Sequence, residues 1–359
     1  MRFNHLFLFI IALPRLAWAG EPDRDAMPIL LGPQYPLLYR STTFEPDSAF
    51  PLKPGTVFAS FGYSVLNTYV RSNNSDRVGN PSGDPSKFDE IDSTGYSLYF
   101  DGEIDRRFQR WYWGFSKNVE LQFTFRQLRF IRGSLDSTIE DFHSSFGLGN
   151  QGREEASQND LGIYIHDNET GKNVFQITQS SDEFQQESIT LGFKWALRRT
   201  NNEAIAFVAN SNFGDRYIER ELNEINTAFA NDHANFDDSN LGLIYSGLYS
   251  DWALHAAFSF ARAGRSLLEK SPEEIYYFFL GANWKFTEHS RVFLQTLEYS
   301  SPYPRETIST IGADVREVTL AMRWLIGKGG NLEMGLIQNQ SQGPQNIDIL
   351  FFSTVGVHF

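Results

Sequence analysis

From Val57 onward, apolar and polar residues alternate with a period of two. Val57, Ala59, Phe61, Tyr63 and Val65 occupy one face of a strand, while Ser60, Gly62, Ser64 and Thr68 occupy the other. After Asn118 the series Val119, Leu121, Phe123 and Phe125 alternates with Glu120, Gln122, Thr124 and Arg126. Toward the C-terminus Val318, Leu320, Met322 and Trp324 alternate with Glu317, Thr319, Ala321 and Arg323. Such spacing gives each strand one apolar and one polar face. The pattern predicts fourteen strands, over 56–70, 94–115, 119–130, 160–167, 173–180, 188–197, 204–213, 239–249, 252–261, 274–284, 291–300, 313–325, 331–338 and 348–359. The brief pair at 160–167 and 173–180 can also be read as an outer hairpin, which leaves twelve.

A soluble sandwich would pack the apolar faces together, whereas a membrane barrel turns them to lipid and lines its lumen with the polar faces. Three features favour the barrel. Charges such as Glu120 with Arg126 and Glu317 with Arg323 lie deep inside long strands. Aromatics gather near strand ends, as at Trp111–Phe115, Trp195, Trp284 and Trp324, in the manner of interfacial girdles. Links alternate between short ones, near 116–118, 250–251 and 286–290, and long polar ones, near 71–92, 131–158 and 215–237. The expected fold is an all-β transmembrane antiparallel β-barrel with short periplasmic turns and long outer loops. Phe351, Val355, Val357 and Phe359 share one parity, so the chain closes on an alternating strand with a terminal aromatic. That ending is the kind of signal the barrel-assembly machinery reads, and it makes that machinery and outer-membrane lipid the expected partners.

Composition sharpens the picture. Residues 1–19 carry Arg2, an apolar run from Leu6 to Leu13 and Ala17-Trp18-Ala19, a secretory signal with cleavage expected near Ala19. The destination is the outer membrane of a Gram-negative bacterium. Residues 20–55 are rich in proline, resist strand and helix readings, and are expected in the periplasm or the lumen; the barrel fills 56–359. Lys and Arg number 31 against 44 Asp and Glu, so the chain carries −13, and loss of Arg2 and Arg15 makes it 29 − 44 = −15. An acidic chain gives no basic field for nucleic acid, and an acidic pore would favour cations. The absence of cysteine excludes disulfides, thiolate metal sites and a lipidated N-terminus. Mean hydropathy of −0.36 beside 32 phenylalanines is what alternation produces.

Gln34-Tyr35-Pro36-Leu37 with Pro54-Gly55, and Gly133-Ser134-Leu135-Asp136 with Ile139-Glu140-Asp141-Phe142-His143, Phe146-Gly147-Leu148 and Gly152-Arg153, resemble an uncharacterised bacterial family, domain of unknown function 3187. The resemblance covers roughly 30–359. It implies an outer-membrane barrel and supplies no activity.

Candidate chemistry is sparse. Tyr99, Asp101, Glu103, Asp105 and Arg107 share one parity and are expected to line the lumen with Glu120, Arg126, Glu317 and Arg323. The segment 94–115 is long for one register, since Tyr96, Leu98 and Phe100 are even while Trp111, Trp113 and Phe115 are odd, and a bulge near Asp105–Arg107 is expected to reconcile them. Leu135, Ile139, Phe142 and Phe146 form one apolar stripe of a loop helix, with His143 on its polar side, and this helix either caps the rim or folds in as a lid. His233 and Ser239 lie six apart, without the compact His-x-Ser-Asn-Gly run of outer-membrane phospholipases. No calcium-loop or phosphate-loop motif occurs, and no catalytic residue, metal or cofactor is assigned. The expected function is a channel or binding barrel for small solutes. The alternatives are a lipid-modifying enzyme and a filled structural barrel.

Overall fold

The computed structural model describes residues 25–34, 44–71, 96–146, 158–167, 172–181, 183–214, 237–262, 274–301, 314–327, 329–340 and 347–359. The alternating stretches become β1 (Val57–Arg71), β2 (Tyr96–Ser116), β3 (Val119–Ile131), β4 (Gly162–Asp167), β5 (Lys172–Ile177), β6 (Gln185–Arg199) and β7 (Glu203–Gly214). They continue as β8 (Asp237–Tyr249), β9 (Trp252–Arg262), β10 (Glu274–Thr287), β11 (Ser290–Tyr299), β12 (Val315–Ile326), β13 (Gly330–Asn339) and β14 (Ile347–His358). One helix, α1 (Asp136–Phe146), stands between β3 and β4.

Twelve strands close into an antiparallel barrel in the order β1, β2, β3, β6 and onward to β14, which returns to β1. Closure removes every free edge of the wall. The seam ends in a reciprocal pair: Val57 N–H donates to Phe359 O at 3.1 Å, and Phe359 N–H donates to Val57 O at 2.8 Å. The twelve-strand count left open by the sequence is the one observed. β3 leaves β2 after the pair Glu103↔Ile131, and β4 takes the vacated edge over Tyr96–Asp101, with β5 paired outside it. That second partner explains the unusual length of β2.

The expected bulge at Asp105–Arg107 does not exist. β1 and β2 keep one register from Val57↔Trp113 to Arg71↔Tyr99. Asp105 and Arg107 therefore share the outer face with Trp113, and Ile104, Arg106, Phe108, Arg110 and Tyr112 are buried on the inner one. The shift from aromatic to ionic along the outer row follows height on the wall, from the short-turn end to the long-loop end, rather than a change of face.

Outside, the wall presents Leu191, Leu241, Phe258, Leu280, Leu294, Leu320 and Phe351, with Leu294 at 59% exposure. Such a belt has no stable place in water and matches the hydrocarbon layer. Near the short turns it is rimmed by Trp113, Trp195, Trp252 and Trp284, the last two stacked with ring centroids 5.9 Å apart.

Candidate functional site in the barrel lumen

The lumen is filled by the chain's own N-terminal segment. One arm, residues 25–34, starts at the short-turn end, which is the periplasmic end in barrels of this type. There Ala26 O accepts from Asn283 Nδ2 at 2.7 Å, and Arg323 Nη1 donates to Asp25 O and Met27 O, each at 2.8 Å. Higher up, Ile29 N–H donates to Gln295 Oε1 at 2.6 Å, and Gln34 N–H reaches Glu317 Oε1 at 2.8 Å, two residues from the far end of β12. The second arm, residues 44–55, descends again. Glu45 meets Arg110 and Arg126, Asp47 meets Lys194, Ala49 N–H donates to Ser246 Oγ, and Leu52 N–H donates to Glu120 Oε2 beside the β2–β3 turn. Gly55 N–H ends the arm on Gly114 O at 2.8 Å.

This route follows from the sequence of the segment. Prolines 28, 33, 46, 51 and 54 keep it out of regular ladders, so its backbone groups seek side chains of the wall. Its apolar residues supply what the polar wall lacks. Met27, Leu30 and Leu52 bury against Phe58 and Tyr112, while Ile29, Leu31, Phe44 and Phe50 join a larger interior cluster with Phe279, Phe293 and Phe352. Phe44 stacks on Tyr277 at 5.2 Å.

Charge organises the middle of the plug. Arg110 grips Glu45 with two bonds, Nε to Oε2 at 3.1 Å and Nη2 to Oε1 at 3.2 Å, and Arg126 Nη2 also donates to Oε1. Burial alone would raise the Glu45 carboxyl, but the two guanidiniums prevail and hold it at about 2. Lower down, burial does win, pushing the Asp25 carboxyl up against the pull of Arg323 and Arg291. Three other basic groups keep a carboxylate of the wall, whereas Arg291 Nη1 donates to Asn283 Oδ1 at 2.9 Å. Lys194 lies 2.9 Å from Glu120 as well as 2.7 Å from Asp47, and Arg323 donates to Glu333. Arg106 pairs with Glu187 through two nitrogens. Glu187 is the extra residue of a β-bulge, since Arg126 faces Ser188 and Gln127 faces Gln186. The bulge turns an outward-parity carboxylate into the lumen.

A hydroxyl–imidazole pair also lies inside. Ser246 Oγ is 2.8 Å from His255 Nδ1, and His255 Nε2 is 2.7 Å from Ala26 O. A carbonyl only accepts, so Nε2 carries the proton and Nδ1 accepts from the serine. The same hydroxyl accepts from Ala49 N–H, and both residues are buried beneath the plug. The pair has the distance of a nucleophile and its base but serves as a latch between the two arms.

The sequence-derived candidates divide by face. Glu120, Arg126, Glu317 and Arg323 point inward and touch the plug. Asp105 and Arg107 stand outside, where Asp105 takes bonds from Tyr63 at 2.7 Å and Arg129 at 2.7 Å, and Arg107 covers the Phe184 ring at 3.7 Å. Tyr99, Asp101 and Glu103 belong to the same outward row, buried at the long-loop end. Tyr99 packs with Tyr69 and Tyr164 and donates to Asp101 at 3.2 Å. Glu103 accepts from the N–H groups of Ser134 and Leu135, just before α1, and Asp136 accepts from Asn67 at 2.8 Å. These bonds tie α1 to the outward row of the rim rather than across the lumen. Ile139 is buried and Leu135 half-buried; the side chains of Phe142, His143 and Phe146 lie outside what is described, as do residues 1–24, with the expected signal, and His233. Glu45, Asp47, Arg106, Arg110, Lys194 and Glu187 were not singled out by sequence. For Arg106 and Arg110 a signal existed: counting back from Trp111 and Trp113 without a bulge places both inside.

Two cavities of about 10 Å³, each the room of one water, adjoin Glu45. One is lined by Tyr112, Gln122, Thr190, Val208 and Ile244, the other by Leu31, Gln34, Ser64, Arg106 and Phe108.

Solved barrels resemble the chain at low identity. An outer membrane channel from Pseudomonas putida F1 is 10% identical, with 87% of this chain and 98% of that one covered and a TM-score of 0.49. The toluene transporter TodX of P. putida is 9% identical over 86% of this chain and 91% of its own, with a TM-score of 0.39. A FadL homologue of Pseudomonas aeruginosa is 8% identical over 85% and 90%, also at 0.39. No curated protein matches the sequence. Residues 89–342 match the family described as Protein of unknown function (DUF3187), and the chain belongs to that family.

Proposed function

We propose that the protein is a gated barrel of the outer membrane, passing small solutes and held closed by its own N-terminal segment. The observation that carries this reading is the attachment of the plug. Both arms are fixed to the wall by side chains and interior packing, and the described arms add no strand to the sheet. Water can replace such bonds one at a time when the segment moves, whereas a ladder would have to break as a unit. Export with cleavage near Ala19 would leave the free end of the first arm at the periplasmic mouth. A filled structural barrel is the second reading, favoured by the two cavities beside Glu45, neither of which holds more than a water.

Conductance separates the two. The intact mature protein in a planar bilayer is expected to be nearly silent, and a variant lacking residues 20–55 to conduct steadily. A deletion variant that inserts, runs as a folded heat-modifiable band and still seals the bilayer would refute gated passage and leave the structural reading.

A further inference from the structure

Within the gated barrel proposed above, on which this step rests, we infer that Arg110 and Arg126 form a lumenal binding site for the carboxylate of a small solute with an apolar body, and that Glu45 occupies that site in the closed state.

The first support is an asymmetry among the buried cations. Arg106, Lys194 and Arg323 each retain a carboxylate of the wall, in Glu187, Glu120 and Glu333. Among the described residues the ion pairs of Arg110 and Arg126 are with Glu45 alone, a residue of the plug. Both guanidiniums are 3% exposed. A wall built only to be filled would neutralise these two as it does those three, because an unpaired buried charge is strongly unfavourable. Their partner is carried by the plug, so on this reading it leaves when the plug does and frees the pair for another carboxylate.

The second support is that the wall shapes the clamp without help from the plug. Arg126 Nη1 donates to Thr190 Oγ1 at 2.7 Å and Ser188 Oγ at 3.3 Å, which fixes its plane. Arg110 lies over the Phe108 ring at 4.0 Å. Thr124 Oγ1 stands 3.5 Å from Glu45 Oε2, offering a further donor. Two guanidiniums held at fixed angles, one of them with both Nε and Nη2 on the same carboxylate, match a planar carboxylate better than a point anion.

A third, independent observation is Ser64. Ser64 is 1% exposed and, like Ser60 and Thr68 on the same row, its hydroxyl has no hydrogen-bond partner, but it alone of the three lines the cavity shared by Glu45, Arg110 and Arg126. Buried hydroxyls are almost always partnered. A ligand larger than the Glu45 side chain would supply the acceptor that this one lacks. Among the polar residues that line the two cavities, Leu31 and Phe108 on one side and Tyr112, Val208 and Ile244 on the other give the clamp apolar neighbours on which a hydrocarbon body could pack. The field at the clamp thus opposes the chain's overall negative charge, and the cation preference expected from composition does not extend to this level of the lumen.

Benzoate, with benzyl alcohol as the uncharged counterpart, provides the probe. Titration calorimetry is run on the full-length protein, on Glu45→Gln, and on Glu45→Gln combined with Arg110→Gln and Arg126→Gln. Glu45→Gln should bind benzoate at least tenfold more tightly than the parent, because the internal competitor has lost its charge. The triple variant should lose that gain, and none of the proteins should bind benzyl alcohol measurably. Should the triple variant misfold, Ser64→Ala in the Glu45→Gln background serves instead, with a severalfold loss expected. Equal benzoate binding in Glu45→Gln and the triple variant, or none in folded Glu45→Gln, overturns the site. Benzoate binding by Glu45→Gln, combined with a sealed barrel after deletion of residues 20–55, would sink gated passage and keep the site.

Discussion

Neutralising Glu45 tests how strongly charge holds the plug. In the closed state the carboxyl sits at about 2, against 4.5 when solvated. A difference of roughly 2.5 units corresponds to about 3 kcal/mol, which agrees with the ~3–5 kcal/mol typical of breaking a buried ion pair. Glu45→Gln should therefore raise the population of the released plug by roughly two orders of magnitude. Amide exchange reports that population directly when reclosing is fast. The amides of Ala49 and Leu52 are the ones to follow, since they bond to Ser246 and Glu120. The sign with pH follows from the depressed value. The stabilisation is complete above about 4.5, and it is lost as pH falls toward 2. Protection of both amides in the parent protein, corrected for intrinsic exchange, should decline across that window, whereas Glu45→Gln should show no such decline. A change of less than about threefold at neutral pH, or the same acid decline in both proteins, would refute the electrostatic account.

Three further changes probe the wall. Glu187→Gln leaves Arg106 buried beside a neutral amide and should lower stability by about 3 kcal/mol, read from the urea midpoint in detergent. At Gly62 a Cβ would lie 1.9 Å from the Phe108 ring. Gly62→Ala should thus lower stability by about 1–3 kcal/mol, and Phe108→Leu in the same chain should restore part of it. Leu294 stands near the middle of β11 on the lipid face, so Leu294→Arg should lower folding stability in lipid vesicles by about 2–4 kcal/mol, and a neutral effect would contradict the membrane belt.

Much of the wall was legible because a period of two survives any rearrangement of loops. Strand 119–130 is read with a one-residue error at β3, and strand 348–359 with a one-residue shift at β14. The second stretch departs from its expected facing for a physical reason. Its outer row changes from Trp111 and Trp113 to Asp105 and Arg107, so polarity there marks depth in the membrane rather than face. The lumen was less legible. A proline-rich segment has no period to announce a location, and the partners of Glu45 lie 65 and 81 positions away. Glu187 was hidden by the bulge itself, which places an outward-parity residue inside.

Both arms of the plug enter and leave by the same mouth, and this sets how it responds to force. A segment threaded from end to end would slide, loading all its wall bonds in parallel. Tension on the chain before Asp25 instead meets the bonds of Ala26, Ile29 and Gln34 in succession, then those of Glu45, Asp47 and Ala49 from the top down. That is peeling, in which each bond fails alone and the peak force is that of the strongest link rather than the sum. Withdrawal of the described arms toward the short-turn mouth would break no strand pair of the wall, so in the proposed gate opening and closing would use one path in opposite directions.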